Sequence, residues 1–253
     1  MSDETEVDSL SWNLEEFGPD YDIEADPHAH RVEGGWIRDA TLGANDGLVS
    51  VLTLLAGVSG ATSGRVVLLA GVSALVAGAI SMGVGAFVSA RAYRAYFGKE
   101  LQREIREIRE LPDVEREEIR EIYRGRGFDG EALEMVVKTI TSNPRVWLRV
   151  MMQEELGLSS GFGQPLGAAL TVFVAFLVGG VVPVIPFILA SGAAALWTSM
   201  AMTAGALMIA GAIRTRYTGE NPVRAGAELV AMAAVGVGVA FLVGRLLHVV
   251  GVG

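Results

Sequence analysis

The stretch "GAISMGVGAFVSARAYRAYFGKELQREIREIREL", residues 78–111, changes from apolar to charged without a proline to interrupt it. Residues 78–90 carry no charged side chain, whereas residues 91–111 carry Arg, Lys or Glu at short intervals. Charged side chains are costly in the hydrocarbon core of a bilayer. In the charged part, apolar residues still recur at the i, i+4, i+7 spacing of an amphipathic helix. We therefore expect a membrane-spanning helix that continues into a water-exposed region.

The rest of the chain has a matching composition. Of its 253 residues, 51% are hydrophobic and 32 are glycine, and the mean hydropathy is +0.42. Charged residues crowd into residues 1–39 and 91–155. Five apolar segments are long enough to cross a hydrocarbon core of about 30 Å as helices. They are residues 38–60, 66–90, 162–182, 186–213 and 224–250, with Pro183 and Pro186 separating the third from the fourth. The expected fold is an all-α integral membrane protein with five transmembrane helices.

Basic residues in the connecting segments predict the orientation, because positively charged loops stay on the cytoplasmic side of a membrane. These residues lie after span two, before span three and between spans four and five: Arg91, Arg94, Lys99, Arg145, Arg149, Arg214, Arg216 and Arg224. We therefore expect these loops and the N-terminus in the cytoplasm.

This pattern divides the chain into four regions. Residues 1–35 are acidic and lack helical or strand periodicity, which predicts a disordered cytoplasmic tail. Residues 36–90 hold transmembrane helices 1 and 2, and residues 161–253 hold transmembrane helices 3 to 5. Residues 91–160 contain four short helical patterns with narrow apolar faces. They predict a cytoplasmic helical module, which a second copy of the chain can complete.

The composition excludes several chemistries. The chain has no cysteine, which excludes disulfides and thiolate metal sites. Its three histidines, His28, His30 and His248, are too few and too scattered for a histidine-based metal or catalytic cluster. The formal net charge of −9 argues against nucleic-acid binding. We expect no prosthetic group, and any metal must be held by Asp, Glu, Met and backbone atoms.

Paired glutamates in the water-exposed region form a candidate site. Glu104 and Glu107 are three residues apart on one predicted helix, and Glu115 and Glu118 repeat that spacing on the next. Residues three or four apart share a helix face, so each helix can aim two carboxylates at one point. Convergence of the helices would create a pocket with several carboxylates.

Further candidate ligands come from "MMQEEL", residues 151–156. Glu155 follows Met151 by four residues and Met152 by three, so both sulfurs can lie beside that carboxylate. Carboxylates bind divalent cations in general, and thioether sulfur adds preference for softer transition metals, which fits Fe²⁺ or Mn²⁺. The alternative is that the glutamates form solvated ion pairs with neighbouring arginines and the methionines fill a core. Spacing alone favours that alternative.

Span one contains an acid, Asp46 in "LGANDGLVS". An acid about two turns inside a span costs roughly 2.5 to 3.5 kcal/mol on insertion scales, so such a residue usually faces a polar path. The alternative is a structural acid paired with Asn45 or a backbone group.

Met82 in span two is either a soft ligand at membrane depth or a packing residue. The face formed by Gly43 and Gly47 fits close approach of a helix, either from a second copy or within the chain.

Four motifs together resemble the vacuolar iron transporter family, to which the yeast vacuolar iron and manganese carrier is related. They are "RDATLGANDGLVSVLTLLAGVSGA" in span one, "AGAISMGVGAFVSAR" in span two, the glutamate helices after it, and "NPRVWLRVMMQEELGL" before span three. The resemblance covers about residues 36–250. It implies a five-span homodimer that moves Fe²⁺, and often Mn²⁺ or other divalent metals such as Co²⁺, Ni²⁺ or Zn²⁺, out of the cytosol in exchange for protons.

The resemblance also implies roles for individual residues. The metal ligands of the family's cytoplasmic domain match Glu104, Glu107, Glu115, Glu118, Met151, Met152 and Glu155, while the adjacent Glu154 is not at a matching position. The family's pathway residues match Asp46 and Met82. Family members carry a glutamate eight residues before this methionine, where the chain has Ala74. Proton coupling would then rest on Asp46 alone or on another path.

Two other functions fit parts of the pattern. Paired glutamates also suggest a membrane-anchored di-iron protein that oxidises iron, but such sites use Glu-x-x-His, and no glutamate here has a histidine at that spacing. The other alternative is a metal sensor that binds without transporting. We expect a transporter rather than an enzyme.

Composition also bears on which membrane holds the protein. Arginine greatly outnumbers lysine, the tail is acidic and the chain is compact. This favours a prokaryotic plasma membrane, and therefore efflux from the cell. A eukaryotic vacuolar membrane is the alternative.

Overall fold

The computed structural model describes residues 35–62, 64–156, 164–218 and 221–250. The acidic tail predicted for residues 1–35 lies, apart from Gly35, outside the described residues. All regular secondary structure in the described ranges is helical. These ranges divide into two compact units, which we call the span unit (residues 35–90 and 164–250) and the glutamate module (residues 91–156).

Five helices of the described chain are long and apolar enough to cross a bilayer. They are α1 (Gly35–Ala61), α2 (Arg65–Glu110), α6 (Pro165–Leu189), α7 (Gly192–Thr218) and α8 (Pro222–Val249). The shorter elements are α3 (Pro112–Gly125), α4 (Gly130–Thr141), α5 (Pro144–Val150) and a π-helix (Met151–Glu155). The prediction of an all-helical chain with five spans is confirmed. The continuation of span two into the charged stretch is confirmed as well, because α2 is one helix as far as Glu110.

Helix α1 packs against α6 and α8 through its glycines. A Cβ atom on Gly43 would lie 2.6 Å from the carbonyl oxygen of Val172 in α6, and one on Gly60 would lie 2.6 Å from that of Phe241 in α8. Backbones approach this closely only where small residues form the contact. The glycine face of span one, which the sequence assigns either to a second copy or to this chain, is therefore occupied within the chain.

The boundary between the third and fourth spans differs from the prediction. The expectation that Pro183 and Pro186 separate these spans is wrong, because both lie inside α6, which ends at Leu189. Proline removes a hydrogen bond from a helix, but neighbouring helices and hydroxyl side chains can satisfy the backbone of a membrane helix. Helix α6 continues through both prolines, and the chain turns after Leu189. Beside them, the buried Ser199 of α7 donates from Oγ to the carbonyl oxygen of Pro183 at 2.7 Å and ties the two helices together.

The glutamate module is built around an apolar core. Its buried side chains come from the end of α2, from α3 to α5 and from the π-helix: Leu101, Ile105, Ile108, Ile119, Leu133, Val137, Ile140, Trp147, Leu148, Met151 and Met152. Pro112 lies at the start of α3, where the missing N–H is tolerated. Asn143 begins α5, because its side chain accepts hydrogen bonds from the backbone N–H groups of Arg145 at 3.0 Å and Val146 at 3.4 Å.

The segment "PRVWLRVMMQEEL" is not the single α-helix that the sequence predicts. Pro144–Val150 is α-helical, whereas Met151–Glu155 is π-helical. A π-helix forms i→i+5 hydrogen bonds and is frequent at functional sites. The side chains of Met151, Met152 and Glu155 therefore do not follow the α-helical spacing from which their shared face was predicted.

Candidate metal centre

Five glutamates converge inside the glutamate module. One carboxylate oxygen from each of Glu104, Glu107 and Glu115 lies within 4.8 Å of the other two, and the same holds for Glu115, Glu118 and Glu155. Glu115 belongs to both triads. The apolar core that joins α2, α3 and the π-helix holds their acidic faces together. All five glutamates that the sequence singles out are thus in one place, and each triad can hold a divalent cation.

Two of these acids are buried with carboxylate oxygens that lack a hydrogen-bond partner among the described residues. Glu104 is 0% exposed and Glu115 is 4% exposed. Within the described ranges, no hydrogen-bond partner reaches either carboxylate oxygen of Glu104 or the Oε2 atom of Glu115. A buried carboxylate whose oxygens lack a hydrogen-bond donor is strongly destabilising in its charged form. The cluster therefore needs protons or a cation.

The protonation of the cluster follows from burial and crowding. Burial, reinforced by the charges of Glu155 and Glu115, raises the pKa of Glu104 to about 9. Burial, reinforced by Glu118, raises the pKa of Glu115 to about 7, and the same two causes raise the pKa of Glu155. Crowded acids share protons rather than titrating independently. Because metals bind the charged form of a carboxylate, a divalent cation would displace these protons.

Glu100 and Arg103 adjoin the cluster. Glu100, which is not among the candidates that the sequence predicts, is only 7% exposed. Arg103 donates from Nη1 to Glu100 Oε2 at 2.8 Å and from Nε to Glu107 Oε2 at 3.2 Å. Helical spacing could have found Glu100, because it lies one turn before Glu104 on the same face. Glu107 thus forms an ion pair with a neighbouring arginine, and its role as a metal ligand stays a prediction.

Met151 and Met152 are completely buried in the apolar core of the module, at 0% and 1% exposure. They share that core with Ile105 and Ile119, whose neighbours in sequence are Glu104 and Glu118. Their burial agrees with the packing alternative. Their role as metal ligands stays a prediction.

Glu154 has a partner of its own. It accepts a hydrogen bond from the guanidinium of Arg126, in the turn after α3. The same guanidinium lies over the ring of Tyr123, 5.3 Å from its centroid. This arrangement agrees with the expectation that Glu154, unlike Glu155, is not a metal ligand.

Asp46 and Met82 lie in the span unit, on α1 and α2. Asp46 is half-buried, and among the residues that the structure describes its carboxylate has no hydrogen-bond or ion-pair partner. The alternative of a structural acid paired with Asn45 or a backbone group is therefore not supported. Met82 packs against the apolar cluster of this unit, which agrees with a packing role.

The chain is similar to several plant proteins. It is 39% identical to "Vacuolar iron transporter 1" of Tulipa gesneriana, over 74% of this chain and 77% of the relative. It is 38% identical to "Vacuolar iron transporter 2" of Oryza sativa subsp. japonica, over 76% and 80%. It is 34% identical to "Vacuolar iron transporter 1" of Arabidopsis thaliana, over 87% and 89%. All three relatives are named as transporters, in agreement with the expectation that the chain is not an enzyme.

These relatives overturn the expected location. The prediction of a prokaryotic plasma membrane is wrong, because the relatives are plant proteins named for the vacuole. The excess of arginine and the acidic tail, on which the prediction depended, are properties of water-exposed segments. Such segments carry little information about the membrane that surrounds the spans.

A family model also matches the chain. The model described as "VIT family" covers residues 37–245. This range contains both the five glutamates and the pathway candidates Asp46 and Met82. It agrees with the resemblance carried by the four motifs, and the relatives' identity of 34% or more extends over most of each chain. The chain belongs to the VIT family.

Proposed function

We propose that the protein transports divalent metal ions, Fe²⁺ first and Mn²⁺ second, out of the cytosol across a vacuolar membrane. The observation that carries the proposal is the cluster of five glutamates, whose buried members Glu104 and Glu115 have carboxylate oxygens without a hydrogen-bond partner among the described residues. The names of the plant relatives support the choice of iron.

The glutamate module would capture the metal on the cytoplasmic side. Two triads share Glu115. A cation in the first would cross-link α2 and α3, and a cation in the second would cross-link α3 and the π-helix. Met151 and Met152 would add thioether sulfur, which favours Fe²⁺ over the harder cations Mg²⁺ and Ca²⁺. The module would thereby concentrate metal near the membrane.

Asp46 and Met82, from both subunits of a homodimer, would relay the metal through the spans. An acid inside a span usually faces a polar path, and the unpartnered carboxylate of Asp46 is free to bind a passing cation. The basic loops support an orientation in which the module and the N-terminus face the cytoplasm.

Proton exchange would use the same chemistry as metal binding. The pKa values of Glu104 and Glu115, about 9 and about 7, mean that metal uptake near neutral pH releases protons. In the spans, Ala74 occupies the position at which the resemblance places a glutamate. Asp46 is therefore the membrane carboxylate to which we assign antiport.

Metal flux into proteoliposomes that contain a pH dye tests the proposal. We expect uptake of Fe²⁺, slower uptake of Mn²⁺, and proton movement in the opposite direction. Asp46→Asn should lower flux by roughly tenfold or more, because it removes the membrane carboxylate, and should leave metal binding to the glutamate module unchanged. The matched control is Asp39→Asn, since Asp39 lies on the same helix and pairs with Arg38 at 3.2 Å.

Three outcomes would contradict parts of the proposal. Unchanged flux in Asp46→Asn would remove Asp46 from the pathway. Metal binding without flux in the wild type would indicate a sensor. Rapid O₂ consumption on addition of Fe²⁺, without flux, would indicate a protein that oxidises iron.

A further inference from the structure

Arg103 places a positive charge at the edge of the glutamate cluster. Its guanidinium donates to Glu100 at 2.8 Å and to Glu107 at 3.2 Å. The Glu100 side chain is 9% exposed, whereas the Arg103 side chain is 42% exposed. One side of the guanidinium is therefore held by a nearly buried acid, and its Nε atom is directed to a candidate metal ligand.

The charge of Arg103 acts beyond these two contacts. Burial lowers the pKa of Arg103, but the charges of Glu107, Glu100 and Glu104 outweigh this effect and raise it. At Glu155, burial and Glu118 raise the pKa, and Arg103 opposes them. The guanidinium thus interacts with four carboxylates, three of which are candidate ligands.

A guanidinium and a metal ion compete for the same carboxylate oxygens. The Oε2 atom of Glu107 accepts a hydrogen bond from Arg103, and a metal at this triad requires a lone pair of Glu107 to point toward it. Positive charges a few ångström apart also repel each other. Arginine stays protonated throughout the physiological pH range. The repulsion between Arg103 and a bound metal ion therefore cannot be relieved by loss of a proton, whereas a protonated Glu104 can lose its proton when metal binds.

We propose that Arg103 is the resident counter-cation of the metal centre: it holds Glu107 before metal binds, yields it on binding, and limits the affinity so that the metal can leave. The inference rests on the proposed function as a metal transporter. A site on a transport route must bind its cargo well enough to collect it and weakly enough to release it. Arg103 therefore tunes affinity and release, and it is not itself a ligand.

Calorimetric titration of the full-length protein in detergent micelles with Mn²⁺ tests the inference. Arg103→Gln removes the positive charge, and we expect Mn²⁺ to bind about tenfold more tightly. Transport of Mn²⁺ into proteoliposomes should slow by a similar factor, since release becomes limiting. Loss of structure weakens binding, so a gain of affinity separates tuning from a merely structural role.

Two matched variants test whether the position of the arginine charge, rather than the net charge of the module, sets the metal affinity. Arg109→Gln removes the same charge from an exposed position six residues along α2, which lies about 120° away around the helix. We expect its affinity to stay within about twofold of the wild type, because exposed charges are screened. In a Glu107→Gln background, Arg103→Gln should gain less than it does in the wild type, because competition for Glu107 is absent and only the repulsion between the guanidinium and the metal remains.

A second variant guards against a folding defect. Arg103→Gln leaves the nearly buried Glu100 without its arginine, which can destabilise the module. The double variant Glu100→Gln, Arg103→Gln removes both charges of the pair. We expect the same gain in affinity from it as from Arg103→Gln.

Each contrary result has a distinct meaning. An affinity at or below that of the wild type in both Arg103→Gln and the double variant overturns the role of Arg103 and leaves the proposed function standing. An equal gain in Arg109→Gln also overturns it, because the net charge of the module would then suffice. A wild-type protein that neither binds nor moves Mn²⁺ or Fe²⁺ overturns the proposed function, and the inference with it.

Discussion

The span unit and the glutamate module both bury apolar side chains, but they differ in their closest helix contacts and in what covers their surfaces. In the module, large apolar side chains such as Trp147 and Ile119 lie inside, and charged side chains cover the surface. In the span unit, glycines such as Gly43 and Gly179 form the helix contacts, and large side chains such as Leu69, which is 68% exposed, point outward. Burial of large apolar residues is the pattern of a protein in water, whereas small residues at helix contacts are the pattern of helices in lipid.

The difference teaches which polar residues to examine in each unit. An acidic side chain inside a membrane span costs free energy. The presence of the half-buried Asp46 in α1 is therefore enough to make it a candidate pathway residue. In the module, charges at the surface are ordinary, and the informative feature is charge carried inside, as at Glu104 and Glu115. In the module, the burial of acidic side chains, rather than their residue type, identifies the candidate site.

The largest effect is expected at a close helix contact of the span unit. A Cβ atom on Gly47 would overlap the carbonyl oxygen of Phe176 and lie 2.8 Å from the backbone nitrogen of Gly180, both in α6. Gly47→Val should force α1 away from α6 and destabilise the protein by about 3 kcal/mol or more. Size-exclusion chromatography of the fluorescently tagged protein after heating would show the loss of the folded peak.

The control for this change is Gly85→Val on α2, because a Cβ atom there meets no described atom within 4 Å. Its melting temperature should stay near that of the wild type. Equal losses in the two variants would contradict the close packing of α1 on α6.

A smaller effect concerns pH in the glutamate module. The pKa of Glu104 rises from 4.5 to about 9 on folding, so between these values the folded state binds a proton that the unfolded state has released. The stability that this group contributes is complete below pH 4.5 and is lost as the pH rises toward 9. Without metal, we expect thermal unfolding scans to show a melting temperature that falls across the alkaline half of this window, and Mn²⁺ to reverse the fall.

Glu104→Gln should flatten this dependence, because an amide has no proton to lose in this range. Glu110→Gln, at the exposed end of the same helix, should leave it as in the wild type. If both variants kept the wild-type slope, the pH dependence would belong to other groups.

The smallest effect on folding is expected for the buried methionines. Replacing both Met151 and Met152 by leucine nearly conserves volume and should change the free energy of unfolding by less than about 1.5 kcal/mol. If the sulfurs bind metal, the same variant should lose affinity for Fe²⁺ by roughly tenfold, with little change for Mg²⁺. Calorimetric titrations with each metal measure this, and Met135→Leu at an exposed position of α4 is the control. Unchanged Fe²⁺ affinity would leave the methionines as core residues.

Local periodicity predicted much of both units. The continuous α2 could be read from its sequence because each turn of a helix repeats its apolar positions every three or four residues. The pairing of Glu104 with Glu107, and of Glu115 with Glu118, was visible for the same reason. Glu100 has the same helical spacing relative to Glu104. Its distinctive feature is that it is nearly buried where it pairs with Arg103, and spacing alone does not reveal burial.

Features that depend on distant partners could not be read this way. Pro183 and Pro186 would break an isolated helix, yet α6 continues through both and is contacted there by Ser199 of the next helix. Gly43 packs against Val172 of the same chain rather than against a second copy, and this partner lies far along the sequence. The winding of the π-helix is likewise invisible in residue spacing, because the prediction assumes α-helical geometry throughout.

The π-helix at Met151–Glu155 also affects how sequences of the family can be compared. Its i→i+5 bonding accommodates more residues per turn than an α-helix does. Over the same arc an α-helix holds about one residue fewer, so deleting one residue, such as Gln153, would let the segment wind as an α-helix and keep Glu155 in nearly its present orientation. A relative that is shorter by one residue at this point would therefore still present its glutamate toward the residue aligned with Glu118. A one-residue gap in this segment is thus no evidence that the centre is lost, whereas a change of the glutamate itself is.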